Sequence, residues 1–403
     1  MPEAGPIQLD AVIFGGGGAG LWLLDELVRR DFSVLLLEAN KLGSGQTVAS
    51  QGIIHGGLKY TLSGFMTPSA SAIRDMPGVW RACLAGDRQP RLTATRLRAE
   101  CCHLWQTASL KSRLGMAGAR AGLRVVPQKL DDDERPAVLR SCPGVVARLE
   151  EQVIDPVSFV SDLAWQHRRH LLHIDAEDGL EFDHADSGED SCVRLKNPKS
   201  GDGLTLAPRH VVLTAGAGNA DLRRRAGLLE PVMQRRPLHM VMLRGELPSL
   251  NGHCVDGAST RVTITTAKNS SGQAIWQVGG RIAEEGVGLE PRQLVAHARK
   301  EIQAVLPGIE LTEVQWSTYR IDRAEAAAAG RRPEDVSIIH DGNVITAWPT
   351  KLALVPKLAE SIVSVLGEPG ATAEDYLHGV ESWPHPEVAL PPWETTKQWF
   401  DDV

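Results

Sequence analysis

The sequence predicts an α/β protein in which a discontinuous, mainly parallel, three-layer domain is combined with an antiparallel-sheet domain. Apolar runs at residues 9–14 and 32–37 are short and continuous, as expected of buried parallel strands, and leucines between them recur at helical spacing. The run at residues 210–216 is a buried strand that resumes this sheet. Residues 237–282 instead contain segments that alternate in the manner of antiparallel strands. The chain therefore leaves the first sheet and later returns to it.

These patterns divide the chain into two domains and a tail. The first domain comprises residues 1–75, 146–232 and 326–375, the second comprises residues 76–145 and 233–325, and residues 376–403 form the C-terminal tail. Residues 68–145 are rich in Arg, Ala and Leu, and we expect helices that cover the sheet there. The tail contains Trp383, Trp393 and Trp399 among prolines, which predicts an extended segment packed on the body of the protein; a partner-binding peptide is the alternative.

The composition is that of a globular protein, since 403 residues with 42% hydrophobic residues can bury more than one core. The six cysteines form no Cys-x-x-Cys pair, so neither a disulfide framework nor a structural zinc site is indicated, and we expect a cytoplasmic protein. The N-terminus lacks the basic segment of a signal peptide, and no apolar run reaches the length of a membrane span. We therefore expect no integral membrane segment. A net charge of -7 indicates no general attraction to nucleic acid.

A glycine motif joins the first predicted strand to the first predicted helix. Gly15 permits a tight turn, Gly17 lets backbone amides approach a diphosphate, and Gly20 lets the helix pack closely on the strand. Glu38 ends the next strand, where its carboxylate can accept hydrogen bonds from a ribose. The combination predicts a Rossmann-like site for a dinucleotide.

Three later features favour FAD over NAD. The loop at residues 43–60 is rich in glycine and small polar residues, so its backbone can lie close to a flat ring system. The first sheet is resumed late, and a closing strand and helix follow residue 343, where a helix N-terminus could face a reduced flavin. The candidate cofactor-binding residues are Gly15, Gly17, Gly18, Ala19, Gly20, Glu38, Ala39, Ser44, Gln46, Ser50, Gln51, Gly52, Val153, Ala215, Gly216, Thr350, Lys351 and Leu352.

Segments along most of the chain resemble the FAD-dependent D-amino acid oxidase superfamily and, within it, the flavin-linked glycerol-3-phosphate dehydrogenases. They are the glycine loop, IIHGGLKY (53–60), the TAG turn (214–216), WSTYR (316–320) and KLALVPKLAE (351–360), so the resemblance spans about residues 9–365. It implies that Lys59 and Tyr60 face the substrate, although the family usually has arginine at the first of these positions. It also implies roles for His239, Arg320 and Lys351. Similar loops occur in 2-hydroxyglutarate dehydrogenases and amine oxidases, which leaves the substrate open.

The expected chemistry assigns a role to each candidate. Hydride transfer to a flavin from a carbon bearing a hydroxyl or an amine also releases a proton, which needs a base. We predict that His239 is this base and that His55 orients the flavin loop; a satisfied histidine on a half-buried strand is the alternative for His239. Lys59 and Arg320 would clamp an anionic substrate group; a surface ion pair is the alternative for each of them. Lys351 would stabilise the reduced flavin.

Two further groups of residues predict no site. His167, His170 and His173 recur every three residues, but this spacing wraps a helix and no acid or cysteine completes a ligand set, so we expect no metal site. His253 and Cys254 are adjacent, and the side chains of neighbouring residues diverge on a strand, so we assign them to a turn.

The sequence thus predicts a dehydrogenase or oxidase that transfers a hydride from a small anionic alcohol or 2-hydroxy acid to FAD. Oxidation of an amine or amino acid is an alternative that needs a protein base less. A non-catalytic, FAD-stabilised subunit whose tryptophan-rich tail docks on a partner is the other alternative. The electron acceptor, whether oxygen, a quinone or a carrier protein, is left open.

Overall fold

The computed structural model describes residues 5–57, 73–107, 128–183, 192–256, 259–370 and 376–401. The strands are β1 (Ile7–Phe14), β2 (Val34–Glu38), β3 (Leu97–Ala99), β4 (Cys102–Gln106), β5 (Gln128–Lys129), β6 (Val146–Leu149), β7 (Val153–Ile154), β8 (Leu171–His173), β9 (Leu180–Asp183), β10 (Cys192–Lys196), β11 (Gly203–Leu213), β12 (Met233–Gly245), β13 (Gly252–Asp256), β14 (Ser259–Lys268), β15 (Ala274–Gly279), β16 (Val314–Ala326), β17 (Ser337–Asp341) and β18 (Val344–Trp348).

The α-helices are α1 (Gly18–Val28), α2 (Gln46–Ala49), α3 (Met76–Ala85), α4 (Pro156–Gln166), α5 (Asn219–Arg225), α6 (Arg281–Glu285), α7 (Pro291–Val305), α8 (Val355–Leu366) and α9 (Pro392–Thr395). Short 3-10 helices lie at Ala137–Leu139, Arg168–His170, Gly216–Gly218, Gly286–Gly288, Leu352–Leu354 and His378–Val380. Among the described residues, no helix has both the length and the apolar character needed to cross a membrane.

The first sheet has the strand order β17-β18-β11-β1-β2-β8, in which the pairs are parallel except for β17 with β18, and the antiparallel strands β10 and β9 extend it from β11. Alternate residues of β1 enter different cores: Ile13 packs with helices α1, α4 and α8, whereas Val12 packs against the antiparallel strands β9 and β10. The sheet is thus the middle of three layers, as the sequence predicts. Both faces are apolar because both are covered, which explains the continuous apolar runs.

The second sheet has the order β16-β12-β15-β14-β13-β4-β6-β5 and is antiparallel except where β13 pairs with β4. One face, here called the helix face, packs Val241 and Trp276 against Ile302 of α7. The opposite face, here called the site face, meets the first domain, where the Gln51 amide donates to the carbonyl oxygens of Thr263 and Gln277. The loops of the first domain and the site face therefore share one boundary.

The structure differs from the prediction in residues 68–145. In the described part of this range, α3 is the one α-helix, and β4 and β5 belong to the second sheet. Helix α3 packs in the core of the first domain, where the ring centroids of Trp80 and Trp22 lie 4.9 Å apart. Strand β6 also joins the second sheet, although the predicted boundary at residue 146 separates it from that sheet. Local composition missed these strands because their partners are distant in sequence.

The turn predicted at His253 and Cys254 is also wrong. These residues lie in β13, which pairs with β14 and β4, and their side chains point to opposite faces. Asn251 precedes this short strand and Gly252 is its first residue, so the two residues mark the start of a strand and not a turn. The tail packs on the body as predicted, since the side chains of Trp383 and Trp393 are only 5% and 6% exposed.

Candidate functional site

The glycine motif forms the junction between β1 and α1. Gly15 has a φ of +102°, a conformation open mainly to glycine, and Gly17 precedes the first residue of the helix. A Cβ atom added at Gly20 would lie 2.0 Å from the carbonyl oxygen of Gly15, so no larger residue fits there. The helix N-terminus is thus brought close to the end of the strand, and this is the geometry that a diphosphate needs.

Glu38 lies beside this junction at the end of β2. Its carboxylate accepts hydrogen bonds of 2.7 Å from the backbone N–H groups of Gly16 and Asn40. Burial raises the pKa of Glu38, and these two hydrogen bonds oppose the shift. The carboxylate therefore ties the end of β2 to the glycine loop, where it would meet the ribose of a bound dinucleotide.

Other predicted cofactor residues converge on the start of α1. A Cβ atom at Gly15 would lie 2.5 Å from the Cα atom of Ala215, and one at Gly18 would lie 3.4 Å from the Leu352 side chain. The backbone N–H of Gly18 donates to the Thr47 hydroxyl over 3.1 Å. The glycine loop, α2, the turn after β11 and the start of the closing helix therefore meet at one place. Direct contact of these residues with a cofactor stays a prediction.

Residues 46–52, here called the flavin segment because the sequence predicts that this loop lies against a flat ring system, bridge the two domains. The Gln46 side chain accepts a hydrogen bond from the backbone N–H of Ala324, and the Tyr319 hydroxyl donates to the Ala49 carbonyl over 2.8 Å. Gly52 has a φ of +73°, and a Cβ atom there would lie 2.2 Å from the carbonyl oxygen of Ile154. The segment is thus fixed on both sides, as a surface for a planar ring requires.

Three further predicted site residues are Val153, Lys59 and Tyr60. The Val153 side chain is buried in an apolar cluster with Ile53 and Cys102, and its contact with a cofactor stays a prediction. Lys59 and Tyr60 lie outside the described residues.

Lys351 begins the turn that precedes α8. Its ammonium group donates to the carbonyl oxygen of Glu334 over 3.1 Å, and the residue is 7% exposed. Thr350, beside it, has a φ of +62° and donates through its hydroxyl to the Asp335 carbonyl. The role of Lys351 towards a reduced flavin stays a prediction.

His239 and Arg320 lie on the helix face of the second sheet, which contradicts their predicted roles. The His239 ring contacts the Gly286 carbonyl through Nδ1 at 3.1 Å and the Thr318 hydroxyl through Nε2 at 2.9 Å. Burial lowers its pKa, and the Gly286 contact opposes this shift. Arg320 donates to the carbonyl oxygens of Val287 and Leu289, which follow Gly286 in the chain. Both imidazole nitrogens of His239 have hydrogen-bond partners, and the ring lies on the helix face. A base for a substrate at the flavin is expected on the site face, which meets the first domain.

The residues that do line the site face were not predicted. Tyr319, Gln277, Thr263 and His253 come from four strands, and all point towards the first domain. Polar residues at alternate positions of otherwise apolar strands, as in TRVTITT, were the available signal. Burial raises the pKa of Tyr319, so its hydroxyl stays protonated and donates.

Arg98 connects the site face to the first domain. Its guanidinium donates to the Asp155 carboxylate at 3.1 Å and to the Gln277 side chain at 3.3 Å. Burial lowers the pKa of Arg98, and the Asp155 charge opposes this. Burial would raise the pKa of Asp155, but the Arg98 charge and the Ser158 N–H outweigh it and the pKa is lowered. The pair is therefore ionised and compensated within the protein.

A second buried carboxylate lies between two imidazoles. Glu151 accepts a 2.7 Å hydrogen bond from the Gly56 N–H, and its other oxygen lies 3.3 Å from Nδ1 of His55 and 4.0 Å from Nε2 of His253. His253 also contacts the Thr263 hydroxyl at 2.9 Å. The side chain of Glu151 is 5% exposed, that of His253 is fully buried, and that of His55 is 16% exposed. We call these three residues the histidine–glutamate cluster.

This cluster can hold a proton or a cation. The nitrogen and oxygen atoms of these three side chains lie within 4.8 Å of one another, a spacing that would allow all three to bind one metal ion. Alternatively, the direct contact between His55 and Glu151 is a hydrogen bond that holds a proton. A buried carboxylate is stabilised when a neighbouring imidazole carries a proton. The cluster adjoins the flavin segment, since His55 follows it in the chain and His253 lies on the site face.

Comparison with known proteins identifies the cofactor. The family model for FAD dependent oxidoreductases, DAO, matches residues 10–347. The chain belongs to this family. This FAD-dependent oxidoreductase is 39% identical, over 400 residues, to a Pseudomonas aeruginosa protein named "Probable FAD-dependent oxidoreductase PA4991", and the match covers 98% of this chain and 99% of the relative.

Solved structures show the same fold. The crystal structure of PA4991 from Pseudomonas aeruginosa matches with a TM-score of 0.80 and 36% identity, covering 97% of this chain and 99% of that chain. Glycine oxidase from Geobacillus kaustophilus gives 0.61 at 17% identity, with coverages of 91% and 97%. FAD-bound L-alpha-glycerophosphate oxidase from Mycoplasma pneumoniae gives 0.62 at 15% identity, with coverages of 92% and 97%. The last two show the fold alone.

The residues of the FAD-dependent oxidoreductase fit this cofactor. At the glycine junction a diphosphate would lie at the N-terminus of α1, and the Glu38 carboxylate, which accepts a hydrogen bond from the Gly16 N–H, would meet the adjoining ribose. The buried hydroxyl of Ser50, on the flavin segment, has no hydrogen-bond partner among the described residues, and a polar ring atom of the flavin could supply one. When bound, the flavin supplies the hydride acceptor.

Proposed function

We propose that this FAD-dependent oxidoreductase oxidises a small alcohol or 2-hydroxy acid, and that His55 accepts the hydroxyl proton. The observation that carries the proposal is the histidine–glutamate cluster beside the flavin segment. Oxidation of an alcohol to a carbonyl removes a hydride from carbon and a proton from oxygen, so a base is needed at the oxygen. We assign this role to His55 and not to His239, because the His239 ring lies on the helix face with partners at both nitrogens.

Glu151 is the positioning residue for His55. A carboxylate that contacts Nδ1 holds the proton on that nitrogen and leaves the lone pair on Nε2 for the substrate. His55 is also the most exposed member of the cluster, so it is the member that a small molecule can reach. Lys59 and Tyr60 follow shortly after His55 in the chain and would bind the anionic group of the substrate, as the resemblance implies.

The test is anaerobic reduction of the bound flavin. Purified holoenzyme is mixed with small hydroxy acids, polyol phosphates or amines, and loss of oxidised-flavin absorbance identifies the substrate. With that substrate, His55→Gln should slow flavin reduction by about 10²- to 10⁴-fold, because the base is lost. Glu151→Gln should slow it less and move its pH profile to lower pH, since a neutral amide no longer favours the protonated imidazole.

His239→Asn is the matched control, and it should retain the wild-type rate of flavin reduction because it changes a histidine on the opposite face. Reduction by amines or amino acids alone would replace the alcohol by an amine as substrate. Wild-type reduction rates in His55→Gln with an alcohol would contradict the proposed base.

A further inference from the structure

We propose that the C-terminal segment at residues 376–401, here called the strap, forms the outer wall of the FAD adenosine site and must open before FAD can leave. The strap contains the tryptophans that the sequence singled out, and the proposed reaction does not use them. It is fixed to the first sheet, to the segment that follows Glu38 and to the second sheet. Each attachment is a set of specific contacts.

The first attachment is to β8, the edge strand beside β2. The backbone N–H of His173 donates to the Pro384 carbonyl over 2.7 Å, and the indole N–H of Trp383 donates to the His173 carbonyl over 2.8 Å. His173 is also the residue that pairs with Glu38 in the sheet. The strap therefore begins beside the strand end that carries the ribose-binding carboxylate.

The second attachment is to the loop that follows Glu38. The backbone N–H of Leu42 donates to the Glu387 carbonyl over 2.7 Å, and the Ala389 N–H donates to the Leu42 carbonyl over 2.9 Å. The loop itself is tied to the glycine junction, because the Gly43 N–H donates to the Gly16 carbonyl over 2.8 Å. The loop therefore lies between the strap and the glycine junction, where the diphosphate is expected to bind.

A cavity separates the loop from the strap. Its volume is about 350 Å³, and it is lined by Asn40, Lys41, Ser44, Ala389, Leu390 and Thr395. The first three residues belong to the loop after Glu38 and the last three to the strap. The Asn40 N–H also donates to the Glu38 carboxylate, so the cavity adjoins the ribose position. An adenosine held by Glu38 would therefore have the strap as its outer wall.

The third attachment closes the far end of the strap on the second sheet. Trp393 is buried against Met242 and Ile275 on the site face, with the Arg98 guanidinium 5.3 Å from its ring centroid. Phe400 exchanges two backbone hydrogen bonds of 2.8 Å with Trp316 of β16. Because both ends are held, the wall opens only if one of these attachments is broken.

Strap closure and FAD binding should therefore stabilise each other. A ligand that is enclosed only by the closed strap favours the closed state, and by linkage the closed state holds the ligand more tightly. FAD should slow opening of the strap, and loosening the strap should speed FAD release. A tail that was merely packed on the surface would show no such coupling to FAD, so the coupling distinguishes the two possibilities.

The test uses purified holoenzyme and two variants of the far attachment, Phe400→Ala and Trp393→Ala. Release of FAD after dilution is followed by the fluorescence of the free flavin. We expect release to be at least about tenfold faster in both variants, equivalent to about 1.4 kcal/mol of barrier. Phe400 packs away from the cavity, so its effect must act through the strap. Trp165→Ala, which alters a 72% exposed tryptophan on α4, should leave the release rate within about twofold of wild type.

Hydrogen exchange on the wild-type protein tests the coupling without a variant. The amides of Leu42, Ala389 and Phe400 should exchange more slowly in holoenzyme than after removal of FAD, because all three close the strap. Exchange at these amides that does not depend on FAD would overturn the proposal. So would wild-type rates of FAD release from both variants when their thermal unfolding shows that they are folded.

Discussion

His239 and its neighbour Met240 point to opposite faces of β12, and Met240 lies on the site face, where a Cβ atom added at Gly279 would lie 2.9 Å from the Met240 side chain and 3.0 Å from the Gln51 side chain. A family resemblance can place a histidine near the start of a strand without fixing its face. Because side chains alternate along a strand, a displacement of one residue reverses the face. The sequence therefore predicted strand β12, but it did not predict the face on which His239 lies, and the role of His239 as a base depends on that face.

His239 should make stability depend on pH. Burial lowers its pKa below the ordinary value of 6.5, so as the pH falls the unfolded chain binds a proton before the folded chain does. Its stabilising contribution is complete above about pH 6.5 and is lost as the pH falls through the folded-state pKa. His239→Asn keeps a donor for the Gly286 carbonyl but does not titrate, so its free energy of unfolding should fall less between about pH 7.5 and pH 5.5.

The measurement is denaturant unfolding across that pH range. The partly buried histidines His103, His170 and His210 also have pKa values lowered by desolvation and act with the same sign, so the difference between variant and wild type is the informative quantity. An identical pH dependence in wild type and His239→Asn would contradict the expectation.

At the scale of elements, Asp155 is the residue on which α4 and the domain boundary both depend. Its side chain accepts a 2.8 Å hydrogen bond from the Ser158 N–H at the start of α4 and also binds the buried Arg98 guanidinium. The Asp-Pro pair at residues 155–156 is typical of a helix start, but nothing in the sequence indicates the Arg98 contact, because that contact depends on tertiary structure.

Substitution of Asp155 should separate these two roles. Asp155→Ala should cost about 4 kcal/mol of unfolding free energy, because it removes the cap and leaves Arg98 buried without its counter-charge. Asp155→Asn keeps an acceptor for the helix start, so it should be about 1 kcal/mol less destabilising. Thermal and denaturant unfolding measure both variants.

Asp221 provides the comparison, since it pairs with Arg224 and Arg225 on the exposed surface of α5. Asp221→Ala should change stability little. Equal losses for Asp155→Ala and Asp221→Ala would show that the Arg98 contact does not stabilise the fold.

Elements with local signals were predictable and those with distant partners were not. The βαβ unit is specified by two apolar runs and the glycine motif, and α7 is specified by its helical spacing. Strands β4 and β6 were missed because each is short and is stabilised by pairing with residues far away in the chain. The histidine–glutamate cluster was missed for the same reason, since its three residues come from three separate segments.

At the scale of the whole molecule, the first sheet is built from three stretches of chain. Strand β18 pairs with β11, and helix α8 packs Leu358 and Ile362 in the core that contains Leu24 of α1. A fragment comprising residues 1–232 would lack both elements. It should therefore neither unfold cooperatively nor retain FAD, because α1 would lose the helix that covers it.

Circular dichroism during heating and the flavin content after gel filtration test this fragment against the full chain. A yellow fragment with a cooperative transition would show that β18 and α8 are dispensable for FAD binding.

The strap also has a consequence for the surface of the protein. Strands β8 and β16 are the outermost strands of their sheets, and the strap supplies hydrogen-bond partners to His173 and Trp316 on those two strands. An uncovered edge strand is a template on which another chain can pair. Opening of the strap at either end would uncover one of these edges, so a segment that encloses the adenosine, as we propose, would also shield the protein from edge-to-edge aggregation.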